Sequence, residues 1–401
     1  MTATALLRTP LDLLRRADRS LGRRADRRRV LVDARTPVNF TMVAPVYRAM
    51  RHDTRVEFFF TASEEPARLG EIYREADEVR RIHPSHARFM RFDAYVASDF
   101  MWQMLPRGTC RIQMFHGVAG KYGFDAPTAS MRHWHRIFFV NERRLRNFIK
   151  AGAIDPDSSA IRLVGMPKTD CLVNGTWNRD TVITSVGLDP GRPTVLYAPT
   201  WSPASSLNTM GEALVPALLA LGVNVIIKLH DRSRDLRERY SGGVDWETQL
   251  RPRLREGAGV IAPGHDISPY LVAADLVITD HSSAGFEFLL RDRPIVRIHC
   301  PSLLQLANIH PDYVQLLASV SESVETVEEV VAAVERGLAD PAAGAAARRA
   351  VAGDLFYKPG SATARAVAYL YEAMALAPMG LPAPAAARAR DPLAEEVTCP
   401  P

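Results

Sequence analysis

The chain has 401 residues, 47% of them hydrophobic, and a formal charge of +5. That length exceeds one ordinary core, so two domains are expected. No run approaches the roughly 20 apolar residues of a membrane span, and arginines interrupt every apolar run near the start, where a secretion signal would sit. The four cysteines lack metal-type spacing and read as free thiols in a reducing compartment.

The charge is unevenly placed. Residues 1–29 hold nine arginines and three acids, a local +6 that leaves the rest near −1. Within this arm (1–28), Leu7, Leu11, Leu14 and Leu21 fit one helical face, with arginines over much of the remainder. That pattern suits a helix lying on anionic lipid. A solvated, partly disordered arm is the competing reading. Nucleic acid is disfavoured, because no aromatic residue lies among the arginines to stack on bases.

From residue 29 onward, short apolar runs alternate with helical stretches. Segments 29–34, 55–62, 93–98, 111–117, 136–141 and 161–167 read as strands, which makes 29–175 one βαβ unit with a parallel sheet. A polar, turn-rich linker covers 176–192, though "DTVITSVG" suits a short helix. The pattern restarts at 194–200, 224–230, 259–264, 276–280 and 294–299, inside a second unit, 193–354. Residues 355–377 contain a final amphipathic helix, and the Ala-, Pro- and Arg-rich tail 378–401 suggests disorder. Ligands of such sheets bind beyond the carboxyl ends of the strands. The cleft between the two units is therefore the expected site.

Four polar clusters follow strands. In "QMFHGVAGKYGF", His116 sits just past a strand, near Gly117 and Lys121. An imidazole here suits a general base on an alcohol, or merely the end of a strand. In "VLYAPTW", Thr200 offers a hydroxyl to a phosphate or base, although by itself the stretch reads more simply as an ordinary strand-to-loop turn. In "VIIKLHD", Lys228 and His230 share one face, as a leaving diphosphate would require, or as an exposed sheet edge would show. In "VITDHSSAGFEF", a strand ends at Asp280, and Ser282 and Ser283 stand where a helix begins. A capped helix and a phosphate cradle share that geometry. Glu287 lies one turn further on, within reach of ribose hydroxyls. No Walker or GxGxxG pattern is present.

Taken together, "FHGVAGKYGF", "VGMPKTD", "LYAPTW", "IKLHD" and "ITDHSSAGFEF" resemble the ordered motifs of the CDP-glycerol glycerophosphotransferases, the teichoic-acid primases and polymerases. The resemblance runs from about Arg111 to Ala366. It implies an α/β GT-B fold: two Rossmann-like domains facing across a cleft, with a C-terminal helix returning to the first. The last motif is also similar to the nucleotide-binding turn of UDP-N-acetylglucosamine 2-epimerases.

By position, the resemblance implies His116 as general base and His230 as the group that stabilises the diphosphate. Ser282 and Ser283 would bind phosphate, and Glu287 would lie near the ribose. Gly117, Lys121, Thr200, Lys228 and Asp280 complete the expected binding set, with Asp280 ordering the turn rather than doing chemistry. The chain departs from the family in four places. Phe115 precedes His116 where tryptophan is commoner, and Asp231 stands where proline is usual. Trp201 is followed by "SPASS" where a basic residue is usual, and Glu287 replaces aspartate.

The implied reaction moves glycerol phosphate, or a similar polyol phosphate, from a CDP-linked donor to a hydroxyl of a lipid- or glycan-linked acceptor. No metal and no cofactor beyond the donor is expected. The expected setting is the cytoplasmic face of a membrane, contacted through residues 1–29. A GT-B glycosyltransferase using a nucleotide sugar remains open, as does a nucleotide-binding protein without catalysis. A UDP-sugar epimerase fits less well, because the first unit offers few carboxylates.

Overall fold

A computed structural model describes residues 13–379, except 15, 19, 23, 25, 77–78, 122–130 and 132. The expectations for Leu7, Leu11 and most of the C-terminal tail lie outside the described residues.

Thirteen strands form two sheets among the described residues, and every pairing is parallel. The first sheet contains β1 (Arg28–Asp33), β2 (Val56–Thr61), β3 (Arg80–Arg81), β4 (Ala94–Ser98), β5 (Cys110–Met114), β6 (Arg136–Phe139) and β7 (Ile161–Leu163). Its order is β3-β2-β1-β4-β5-β6-β7. The second contains β8 (Thr194–Ala198), β9 (Asn224–Ile227), β10 (Gly259–Ile261), β11 (Leu276–Thr279), β12 (Ile295–Ile298) and β13 (Glu322–Val324). Its order is β10-β9-β8-β11-β12-β13.

The central strands are mostly apolar because helices cover both faces. β4, β8, β9, β11 and β12 are buried along their whole length. The strands read from sequence are all present; most end one to four residues earlier than read, and β1 and β5 also begin one residue earlier, at Arg28 and Cys110. β3 and β13 are the additions. Both are short, polar edge strands, so they carry no apolar pattern to read.

The helix Pro37–Met50 starts cleanly. Thr36 Oγ1 accepts from the Asn39 amide at 3.2 Å, and Pro37 occupies the first turn, where no amide proton is needed. Its buried face carries Phe40 and Tyr47, which pack edge-to-face on Phe60 at 5.8 and 5.1 Å. The helix Ala362–Ala373 returns to this first lobe. Val367, Leu370 and Tyr371 join the core of β1 and β2, and the Tyr371 hydroxyl donates to Asp53 at 2.8 Å.

Residues 176–192 contain the helix Arg179–Ser185, capped by Asn178. Val182 and Ile183 are buried in the core that also holds the second sheet, and Arg179 pairs with Asp275 at 2.8 Å. The polar residues that suggest a linker are this helix's solvent face. Cys110, Cys171 and Cys300 are free thiols. No helix among the described residues is long and apolar enough to cross a membrane.

Candidate active site

Each sheet has one point where chain order reverses direction, between β1 and β4 in the first and between β8 and β11 in the second. Crevices open at the carboxyl ends of such strands. Here the two crevices face each other across a cleft of about 1150 Å³, open solvent included. Of the residues singled out from sequence, His116, Gly117, Lys121, Thr200, Lys228, His230, Ser282, Ser283 and Glu287 all line it. Asp280 does not.

His116 comes from the first lobe, two residues beyond β5, and its side chain is 44% exposed. Its Nδ1 is hydrogen-bonded to Asp99, which follows β4. A carboxylate only accepts, so Nδ1 carries the proton and Nε2 is left as the basic nitrogen. Burial pushes the Asp99 carboxyl up, but His116 and Arg35 outweigh it and hold the group below its usual range. Asp99 also accepts from Asn39 at 3.3 Å. It sits at φ 60°, a region that asparagine and aspartate tolerate better than most residues. Arg144 completes this wall. Its guanidinium lies 4.1 Å from the Phe115 ring centroid and donates to the Gly117 carbonyl at 3.2 Å.

His230 lies beyond β9 in the second lobe. Its Nδ1 accepts the Arg232 amide at 3.1 Å. That fixes the other tautomer, with the proton on Nε2. Burial, then Arg232, Lys121 and Lys228, push its pKa down to about 4, so the free ring is neutral at pH 7. Lys228 donates to the Gly264 carbonyl. Burial brings both Lys228 and Lys121 down to about 8, still mostly cationic at neutral pH. The loop after Trp201 has no basic residue of its own, but Arg232 stacks 4.5 Å from the Trp201 ring.

Asp280 is the correction among the binding residues. It is fully buried and accepts from the Thr200 amide at 2.8 Å, the Ser206 amide at 3.2 Å, the Ser206 hydroxyl at 3.0 Å and the His281 amide at 2.6 Å. Those bonds tie the β8 and β11 turns together and leave the carboxylate no face toward a ligand. The Thr200 hydroxyl is buried on the cleft wall with no partner among the described residues.

The serine cradle also differs from expectation. The helix is short, Ala284–Phe288, and Ser283 precedes it in helical geometry without a side-chain cap. Its hydroxyl is therefore not spent on the helix. Ser282 Oγ accepts the Ala284 amide at 3.4 Å. Glu287 lines the cleft, but Lys168 holds both of its oxygens, at 2.9 and 2.7 Å. Burial opposes the charge on Lys168, yet Glu287 beside it raises its pKa. His281 is buried off the cleft, and neither ring nitrogen has a partner among the described residues. It is no base for the serines.

The sequence assigned no site role to Asp99, Arg144, Lys168, Asp231 and His265, all on the cleft wall. Asp99 and His265 follow strands, as the recognised clusters do, and that position was the available signal. Among the described residues no group of three or more His, Cys, Asp or Glu side chains is arranged to hold a metal ion.

A model of the family described as CDP-glycerol:poly(glycerophosphate) glycerophosphotransferase matches residues 32–372. The chain belongs to that family. It is thus a transferase of the CDP-glycerol glycerophosphotransferase type, whose donor chemistry serves wall-polymer synthesis. No curated protein matches the chain in sequence. Among solved structures it is similar to the wall teichoic acid polymerase TagF, at 14% identity, TM-score 0.65, over 92% of this chain and 97% of that one. A TagF H444N variant soaked with CDPG matches at 14% identity and TM-score 0.61, over 92% and 95%. A UDP-GlcNAc 2-epimerase from Methanocaldococcus jannaschii matches at 14% identity and TM-score 0.51, over 86% and 99%. These likenesses establish the fold: two parallel-sheet lobes across a cleft, the GT-B arrangement.

Proposed function

We propose that this family member transfers glycerol phosphate, or a similar polyol phosphate, from a CDP-linked donor to a hydroxyl of a lipid- or glycan-linked acceptor. The observation that carries the assignment of roles is the pair of opposite tautomers in one cleft. His116 presents a basic nitrogen and His230 an N–H donor. The His116 Nε2 takes the proton of the acceptor hydroxyl. The acceptor oxygen bonds to the polyol phosphate as the bond to CMP breaks, and CMP leaves with the electron pair. The His230 N–H, Lys228 and Lys121 meet the charge that builds on the phosphates. Ser282, Ser283 and Thr200 offer hydroxyls to the departing nucleotide.

The N-terminal arm supports a membrane-side setting for this reaction, at the cytoplasmic face. Its Leu13, Leu14 and Leu21 are 59%, 68% and 64% exposed, in a stretch whose sequence is rich in arginine. The Asp18 carboxylate binds Arg91 at 2.6 Å, which ties the arm to the first lobe.

A thermal-shift panel of CDP-glycerol, CDP-ribitol, UDP-sugars and GDP-sugars tests the donor class. Stabilisation by the CDP-polyols alone is expected. Stabilisation by a UDP- or GDP-sugar in their place would overturn the assignment in favour of glycosyl transfer.

A further inference from the structure

Asp231 stands directly after His230, where the resembled family usually has proline. Its side chain is 6% exposed. One oxygen, Oδ1, lies 2.6 Å from His265 Nδ1. The other, Oδ2, is buried without a hydrogen-bond partner among the described residues, and both Asp231 and His265 line the cleft. The first lobe closes this corner, where Glu75 accepts the His265 amide at 2.9 Å and lies 3.7 Å from its Nε2.

An unpartnered buried oxygen is costly unless a ligand satisfies it. Burial pushes the Asp231 carboxyl up, but the His265 bond and the nearby His230 and Lys228 bring it down to about 2. It is therefore an anion and accepts only. Phosphate oxygens also only accept, so Asp231 repels the diphosphate and calls for an O–H or N–H.

The sheet order indicates which part of the donor supplies that group. Along the edge of the second sheet, His265 follows β10, the Lys228–His230 pair follows β9, Thr200 follows β8 and the serines follow β11. A donor with its nucleotide phosphate on the serines after β11 and its polyol phosphate at β8 and β9 brings its polyol to β9 and β10.

We propose that Asp231, oriented by His265, accepts a hydrogen bond from a hydroxyl of the donor's polyol and so helps select that polyol. This rests on the CDP-polyol reading above. It places a specificity residue where the chain departs from the usual family pattern.

Calorimetric titration of the full chain with CDP, CDP-glycerol and CDP-ribitol tests it. Asp231→Ala is expected to weaken at least one CDP-polyol about tenfold or more relative to CDP, the size of a lost hydrogen bond to a charged group. Retained CDP binding shows that the variant is folded. Asp231→Asn keeps the volume, serves if the alanine variant does not fold, and should show a smaller loss in the same direction. An unchanged ratio of CDP-polyol to CDP affinity would overturn the proposal. So would an equal loss for CDP, which would place the carboxylate against the nucleoside. If the unmutated chain binds none of the three ligands, the CDP-polyol reading itself fails and this proposal falls with it.

Discussion

His116 and His230 are held in opposite tautomers on facing walls of one cleft, His116 by the carboxylate of Asp99 and His230 by the amide of Arg232. Each lobe thus supplies one part of the machinery before any substrate arrives: a basic nitrogen from the first and an N–H donor from the second. A transfer to a hydroxyl needs that division: one nitrogen to take a proton, and one N–H to meet the growing phosphate charge.

The Asp99 contact gives the first prediction. Asparagine tolerates the backbone at φ 60° but cannot hold the His116 tautomer as a carboxylate does. Asp99→Asn should lower kcat by about 10²–10³-fold with little change in donor KM, in line with the loss of an oriented base. Thermal stability and CDP affinity should stay close to those of the unmodified enzyme. A purely structural role would instead lower thermal stability and weaken CDP binding along with kcat.

Donor binding should weaken with alkaline pH. Lys228 and Lys121 are pushed by burial to about 8. Both are cations below that pH and become neutral above it. Phosphate binding favours the charged forms, so affinity is full below about pH 7 and falls as pH rises through 8 to 9. Each lysine contributes a loss of up to about tenfold per pH unit on the far side of its pKa. Titrating CDP-glycerol from pH 6.5 to 9.5 measures the slope, and Lys228→Met should flatten it.

The Lys168–Glu287 pair should behave as a buried ion pair joining the two lobes. Both side chains are under 8% exposed. Lys168→Met strands the Glu287 charge and should cost about 3–5 kcal/mol, whereas adding Glu287→Leu should recover part of that loss. Chemical denaturation of the two single variants and the double variant measures the coupling. Strictly additive losses would mean that the pair is not coupled.

Vesicle cosedimentation tests the arm. The full chain should bind vesicles containing anionic phosphatidylglycerol, bind neutral phosphatidylcholine weakly, and release as salt rises past about 0.3 M. Equal binding to both lipids would remove the electrostatic basis of the membrane reading.

The sequence made the central strands legible because a parallel sheet buried on both faces demands apolar runs, as in the "VII" of β9 and the "LVI" of β11. It hid β3 and β13 because an edge strand needs few apolar residues. The strand-end rule brought His116, Thr200, Lys228, His230 and the two serines to one place. It stopped short at Asp99 and His265, which obey the same rule but sit beside less conspicuous neighbours. Partnerships were the least legible part. Nothing local in "VGMPKTD" pairs Lys168 with Glu287, 119 positions away, and nothing in "VITDHSS" shows that the Asp280 carboxylate is fully occupied by amides and a hydroxyl.

The central claim is that His116 and His230 carry the transfer. Replacing each singly by alanine and following CMP release from CDP-glycerol with a wall-polymer acceptor tests it most directly. The account predicts that turnover falls by at least about 10²-fold in each variant, while CDP still binds the His116→Ala variant. Near-normal turnover in either variant would contradict it.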